Sequence, residues 1–242
     1  MIDSIKRICL WSGPRNISTA LMYSFAQRED TVVYDEPLYG YYLSHTNAKE
    51  YHPGADEVIA SLENDGDQVV RMMMGPQPKP VVFYKNMTHH LLDLDRSFMK
   101  DVYNIILTRD PVEMLPSFAK EIQNPSMKDV GYEDHIDLLN AFTKMDITPI
   151  VIDSKQLLMN PPKIIRQLCS RVAIPFDESM LSWEPGPRPE DGVWGKYWYG
   201  SLHQSNGFTK YQPKTTPFPD HLKPLLELCL PYYHQLMKLS LK

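Results

Sequence analysis

The apolar positions of the chain fall into short β-branched runs that alternate with longer stretches of helical spacing. Residues 7–11 form an apolar run that ends in Ser12-Gly13-Pro14, after which Ile17, Leu21, Met22 and Phe25 recur at helical intervals. That order reads as strand, tight loop, helix. Further strand-like runs cover 31–34, 81–84, 103–108 and 149–152. The run at 31–34 is broken by Asp35-Glu36-Pro37, and the one at 81–84 ends at Lys85-Asn86. Pro111 stands at a first helical position ahead of the apolar stripe Val112, Leu115, Phe118 and Ala119. A helix over 161–172 presents Ile164, Ile165 and Leu168 on one face, and a closing helix over 221–239 has leucines at helical spacing.

Strands alternating with helices predict an α/β fold of three layers, a parallel sheet with helices on both faces, with ligands gathering at the carboxyl ends of the strands. Residues 182–219 break the pattern: rich in Pro, Gly, Trp and Tyr and poor in periodicity, they predict long ordered loops and a candidate lid. A single domain over 1–242 is the expectation from length.

Composition narrows the possibilities. With 43% hydrophobic and 23% charged residues the chain reads as folded, neither disordered nor fibrous. A net charge of −5 gives no general surface for nucleic acid, so an anionic ligand has to be met by local cations. Cys9, Cys169 and Cys229 form neither a disulfide framework nor a metal-ligand spacing, which points to a reducing, cytoplasmic setting. No apolar run has the length of a membrane span or a signal-peptide core, so neither membrane nor metal is expected.

The chemistry concentrates in Trp11-Ser12-Gly13-Pro14-Arg15-Asn16-Ile17-Ser18-Thr19. The first turn of a helix offers free N–H groups and the positive end of the helix dipole to an anion, and Ser18 and Thr19 add hydroxyl donors there. Arg15 adds a charge-assisted hydrogen bond. The loop departs from the GxxxxGK[ST] pattern of nucleoside triphosphatases, with Ile17 where Gly is expected and Ser18 where Lys is expected. Read without a ligand, the same residues serve as ordinary turn and cap residues.

Residues 14–19 resemble the Pro-Lys-Ser-Gly-Thr-Thr phosphosulfate loop of the sulfotransferases that use the donor PAPS and release PAP, a variant P-loop fold. Arg15 stands in the lysine's place. The likeness continues in Ile105-Ile106-Leu107-Thr108-Arg109, followed eight residues later by Ser117, where the family holds the donor's 3′-phosphate with such a pair. Near the end, residues 192–208 occupy the place of the family's closing donor loop, with Lys196 and Trp194 as candidate phosphate and adenine contacts. The resemblance implies a donor site made of Gly13, Pro14, Arg15, Asn16, Ile17, Ser18, Thr19, Arg109, Ser117, Trp194 and Lys196. It implies a small-molecule acceptor and leaves the oligomeric state open.

Sulfuryl transfer needs a base beside the acceptor's hydroxyl. Glu36, after the second strand, is preferred, in the position that a catalytic glutamate holds in several carbohydrate sulfotransferases. His89 and His90 are the alternatives, because cytosolic members keep a histidine shortly after a lysine, here Lys85, although with shorter spacing. Arg15 and Lys85 complete the catalytic candidates. Asp35 is a further carboxylate, and Tyr34, Tyr39, Tyr41 and Tyr42 are candidates for an aromatic acceptor wall. Two other readings stay open: a small-molecule kinase in which Asp35 or Asp110 holds magnesium, and a noncatalytic nucleotide-binding domain of the same fold.

Overall fold

The computed structural model describes residues 5–242. Five parallel strands form one sheet: β1 (Lys6–Ser12), β2 (Thr31–Asp35), β3 (Val81–Met87), β4 (Tyr103–Thr108) and β5 (Ile150–Asp153), in the order β2-β3-β1-β4-β5. The alternation of side chains along a strand sorts β1 into two cores. Ile8 and Leu10 join Phe83, Ile105, Leu107 and Ile152 on one face, beneath helices Ser18–Ala26 and Pro161–Arg171. Cys9 and Trp11 join Val82, Tyr84, Ile106 and Val151 on the other, beneath helices Gly66–Met74, Tyr132–Lys144 and Lys223–Met237. Burial on both faces is why β1, β3, β4 and β5 read as continuous apolar runs, whereas the edge strand β2 leaves Tyr34 exposed.

All five expected strands are present, and the fold is the expected three-layer α/β arrangement. The third strand runs on through Met87, so Lys85 and Asn86 lie inside it rather than ending it. The closing helix occupies Lys223–Met237 after a single 3-10 turn, Asp220–Leu222. Helices Tyr39–His45, Ala55–Ser61, Gly66–Met74 and Tyr132–Lys144 fill stretches without an assigned element in the sequence reading. Residues 182–219 are largely irregular, with one short helix at Gly195–Trp198 and an isolated bridge between Ser182 and Gly207. Among the described residues no helix is long and apolar enough to cross a membrane, and Cys9, Cys169 and Cys229 are free and buried.

Capping fixes where the helices behind the strands begin. The Asp110 carboxylate accepts from the Val112 N–H at 2.9 Å ahead of helix Pro111–Phe118. Asp153 accepts from the Gln156 N–H at 3.0 Å and Asn160 from the Lys163 N–H at 3.2 Å. Each cap satisfies a backbone donor that the helix leaves without an internal partner.

Candidate active site

The loop after β1 runs between two strand ends and is tied to both sides. Asn16 Nδ2 donates to the Leu107 carbonyl at 3.1 Å, and the Asn16 carbonyl accepts from Ser154 Oγ at 2.8 Å. Gly13 is required for space: a Cβ there would stand 2.9 Å from the Val130 carbonyl oxygen and 3.2 Å from Asn16 Nδ2. Arg15 and Ile17 both have left-handed backbone, at φ 56° and 62°. For the β-branched Ile17 this is a strained conformation, held by the surrounding loop. Ser18 and Thr19 follow at the start of helix Ser18–Ala26, whose first N–H groups are open to an anion.

Arg109, at the end of β4, closes the far side of this loop. Its Nη1 donates to the Arg15 carbonyl at 2.8 Å and its Nη2 lies 3.4 Å from the Glu113 carboxylate, while its buried Nε has no protein partner. Arg15 Nε donates to Ser117 Oγ at 3.3 Å, so the three residues the sequence pairs with the donor meet in space. Lys214 donates to the Glu113 carbonyl at 2.6 Å beside them. Its pKa lies below the ordinary lysine value, first through partial burial and then through the positive charge of Arg109, with Lys120 and Arg15 adding and Glu113 opposing.

On the other side of β1, Lys85 is buried among acceptors. Its ammonium donates to Asp35 Oδ1 at 2.8 Å, Glu36 Oε1 at 2.5 Å and the Tyr199 hydroxyl at 2.7 Å. Tyr199 in turn donates to Asp35 Oδ2 at 2.7 Å and accepts from Trp194 Nε1 at 3.0 Å. Two consecutive residues of a strand point to opposite faces, and Asp35 and Glu36 reach one ammonium because Glu36 has left-handed backbone at φ 43°. Burial raises the Glu36 pKa, with the Lys85 charge opposing and the Asp35 charge adding to the rise. Desolvation acts against the Lys85 ammonium, yet the two carboxylates hold its pKa above the ordinary lysine value.

Glu36 Oε2 is left facing His90, whose Nδ1 is 3.9 Å away, beyond hydrogen-bond range. The His90 ring is sandwiched between Tyr39 and Tyr42, with centroids at 4.9 and 4.5 Å and interplanar angles of 8° and 23°. His89 packs edge-on against Tyr42 at 5.0 Å. Burial, and then the mutual effect of the rings, holds His90 far below the ordinary histidine value, and burial lowers His89 and His52 to about 4 and His135 to about 3. All four imidazoles are therefore neutral at pH 7.

Both clusters open into one cavity of about 320 Å³, lined among others by Pro14, Arg15, Asn16, Ile17, Ser18, Thr19, Arg109 and Ser117 at one end. Glu36, Lys85, His89, His90, Tyr39, Tyr42 and Trp194 line it as well. Lys196 is not brought to it: its ammonium lies on the surface against Glu57 Oε2 at 2.6 Å, and the short helix Gly195–Trp198 turns it away from the loop. Tyr34 stacks on Tyr84 at the edge of the sheet and Tyr41 packs on His45, so neither joins the wall expected of them. Tyr51, His52 and Asp129 also line the cavity and carry no local sequence signal, because separate helices and loops bring them in, and Trp198 and Tyr199 reach it from the aromatic loop over 192–208. Among the described residues no group of three or more His, Cys, Asp or Glu side chains is arranged to hold a metal ion.

A parallel sheet with a strand-loop-helix turn after its central strand and an arginine-serine pair after the next is a three-layer α/β fold, a class that gathers ligands at the carboxyl ends of its strands. The family model "Sulfotransferase domain" matches residues 6–240, and the chain belongs to that family. Two proteins of Arabidopsis thaliana, named branched-chain-amino-acid aminotransferase-like proteins 2 and 1, are 41% and 40% identical over 93% of this chain. The chain spans 40% of their length. Among solved structures, the sulfotransferase domain from the curacin biosynthetic pathway superposes with a TM-score of 0.56 at 15% identity, covering 97% of this chain and 98% of that one. A sulfotransferase from Alicyclobacillus acidocaldarius gives a TM-score of 0.56 at 11% identity, covering 98% of this chain and 96% of that one. These structures establish the sulfotransferase fold.

Proposed function

We propose that this chain is a single-domain enzyme that transfers a sulfuryl group from PAPS to a hydroxyl or amine of a small acceptor, with Glu36 as the base. The observation that carries the reading is the single cavity joining the Arg15, Arg109 and Ser117 cluster to the Glu36 carboxylate. In the donor half, the open N–H groups and hydroxyls of Ser18 and Thr19 receive the 5′-phosphosulfate, and Arg109 with Ser117 receives the 3′-phosphate. Lys214 takes the cationic part assigned from sequence to Lys196, since it stands at the Arg109 cluster.

In the transfer, the acceptor oxygen forms a bond to sulfur while the bond from sulfur to the bridging phosphate oxygen breaks. The leaving electron pair passes to PAP, and the acceptor's proton passes to Glu36. Arg15 offsets charge developing on the bridging oxygen, and Lys85 holds Glu36 in place. Glu36 is favoured over the histidines because burial raises its proton affinity and lowers theirs.

Isothermal titration with PAP and with ATP tests the reading, followed by turnover of an acceptor library with PAPS read by mass spectrometry. Preference for PAP together with sulfated product is expected. Preference for ATP would move the assignment to a kinase, and PAP binding without turnover of any acceptor would leave a noncatalytic nucleotide-binding domain.

A further inference from the structure

The acceptor half of the cavity has a chemistry of its own. Its wall is a continuous run of rings: Tyr51 meets His52 at 5.1 Å, His52 meets Tyr42 at 5.9 Å, and Tyr42 stacks on His90 at 4.5 Å. Trp198 approaches His52 from the lid segment at 6.2 Å. Asp129 lines the same cavity. Its Oδ2 accepts from the Ser126 N–H at 2.7 Å and the Ser126 hydroxyl at 2.6 Å, and the Tyr51 hydroxyl is a further neutral hydrogen-bond partner of the carboxylate. The carboxylate is felt by its neighbours: after burial, its charge is among the causes that raise the Tyr51 and Tyr42 hydroxyl pKa values.

Charge divides the cavity in two. The arginines stand at the donor loop, whereas the Lys85 ammonium is already shared by Asp35 and Glu36. The imidazoles of the wall are neutral, so Asp129 is the uncompensated charge on the acceptor side of the described lining. Aromatic faces next to a carboxylate attract a cation, most strongly an alkylated ammonium that sheds its water cheaply. An anionic acceptor would meet the Asp129 carboxylate with no cation of the described lining beside it.

We propose that the acceptor is a small cationic alcohol, its ammonium group seated against Tyr42, Tyr51 and Asp129 and its hydroxyl directed at Glu36. This rests on the sulfuryl-transfer reading for the direction of the hydroxyl. The seating of the cation stands on the aromatic wall and Asp129 alone.

The test is ligand-observed NMR with three probes: choline, its uncharged isostere 3,3-dimethylbutan-1-ol, and glycolate. Choline is expected to bind about tenfold more tightly than the isostere, with glycolate unbound. Asp129→Asn keeps an oxygen for the Ser126 cap and is expected to remove most of that preference. Tyr51→Leu, at an exposed position, is expected to reduce it as well. Equal or tighter binding of the isostere, or binding of glycolate as tight as that of choline, overturns the proposal, as does an unchanged preference in both variants. PAP titration runs alongside: loss of PAP binding overturns the donor reading, while the ranking of the three probes still decides this one.

Discussion

The ammonium of Lys85 lies 2.5 Å from Glu36 Oε1 and fixes the direction in which the other carboxylate oxygen faces the cavity. Glu36→Gln preserves the shape of the side chain and removes the base. PAP affinity is expected to stay near that of the parent while turnover falls by roughly 10²- to 10⁴-fold. His89→Ala and His90→Ala, measured at saturating donor, are the comparison. Normal turnover in Glu36→Gln together with collapse in a histidine variant would transfer the role to that histidine.

Replacing Lys85 exposes the other side of the same contact. Lys85→Met leaves Asp35 and Glu36 buried without their counter-ion, a change that costs about 3 to 5 kcal/mol when a buried pair is broken. Burial then raises the Glu36 value without the opposing Lys85 charge, so its contribution is present at low pH and declines as pH rises through the raised value. Denaturant midpoints are expected to show a larger deficit at pH 7 than at pH 4. A deficit that grows toward low pH would contradict this.

Arg109 and Ser117 meet Arg15 at the donor end. Arg109→Ala and Ser117→Ala are expected to weaken PAP by about 1.5 to 3 kcal/mol, and to weaken the analogue without a 3′-phosphate much less. Lys214→Ala is expected to follow the same pattern, whereas Lys196→Ala, whose ammonium is engaged by Glu57, leaves PAP affinity unchanged. Calorimetric titration of the two nucleotides separates these outcomes.

The buried histidines make the protein sensitive to acid. Their folded pKa values, about 4 for His52 and His89 and about 3 for His135, lie below the unfolded value. Their contribution is therefore present above about pH 6.5 and is lost as pH falls toward the folded values. Each adds up to about 1.4 kcal/mol of lost stability per pH unit across that window. Urea midpoints between pH 7 and pH 4 check this, and His135→Gln is expected to flatten the slope.

Ile17 occupies the place of the glycine in the resembling loop and has φ 62°. Relief of that strain, about 1 to 3 kcal/mol, is expected to offset most of the packing lost in Ile17→Gly. The net change in unfolding free energy is then within about 1 kcal/mol, in contrast to the about 2 to 5 kcal/mol usual for large truncations of a packed aliphatic side chain. A full loss of that size would mean that the loop does not hold Ile17 under strain.

The sheet was legible because β1, β3, β4 and β5 are buried on both faces and read as apolar runs, as at 103–108, while the edge strand β2 stands out by its β-branched residues at 31–33. The meeting of the loop after β1 with Arg109 and Ser117 was legible for a related reason: residues 13–19 are contiguous, and Arg109 to Ser117 spans one strand end and one helix. The acceptor end was much less so. Tyr199 meets Asp35 across 164 positions of sequence, and Asp129 arrives on a four-residue helix, so no local spacing announces either. Lys196 misled for the converse reason, since a cation among aromatic residues reads the same whether it turns inward or, as here, outward to Glu57.

The strand order has an evolutionary corollary. With β1 in the middle, the donor loop is served from the β4 side and Glu36 and Lys85 from the β2 and β3 side. Residues 5–26 and 103–118 therefore build one side of the cavity and residues 31–90 much of the other, the two meeting at the central strand and through helix Ser18–Ala26, whose Phe25 stacks on Phe83 at 4.2 Å. Over evolution, substitutions within residues 31–90 can reshape that side of the cavity without replacing any residue of the loop after β1.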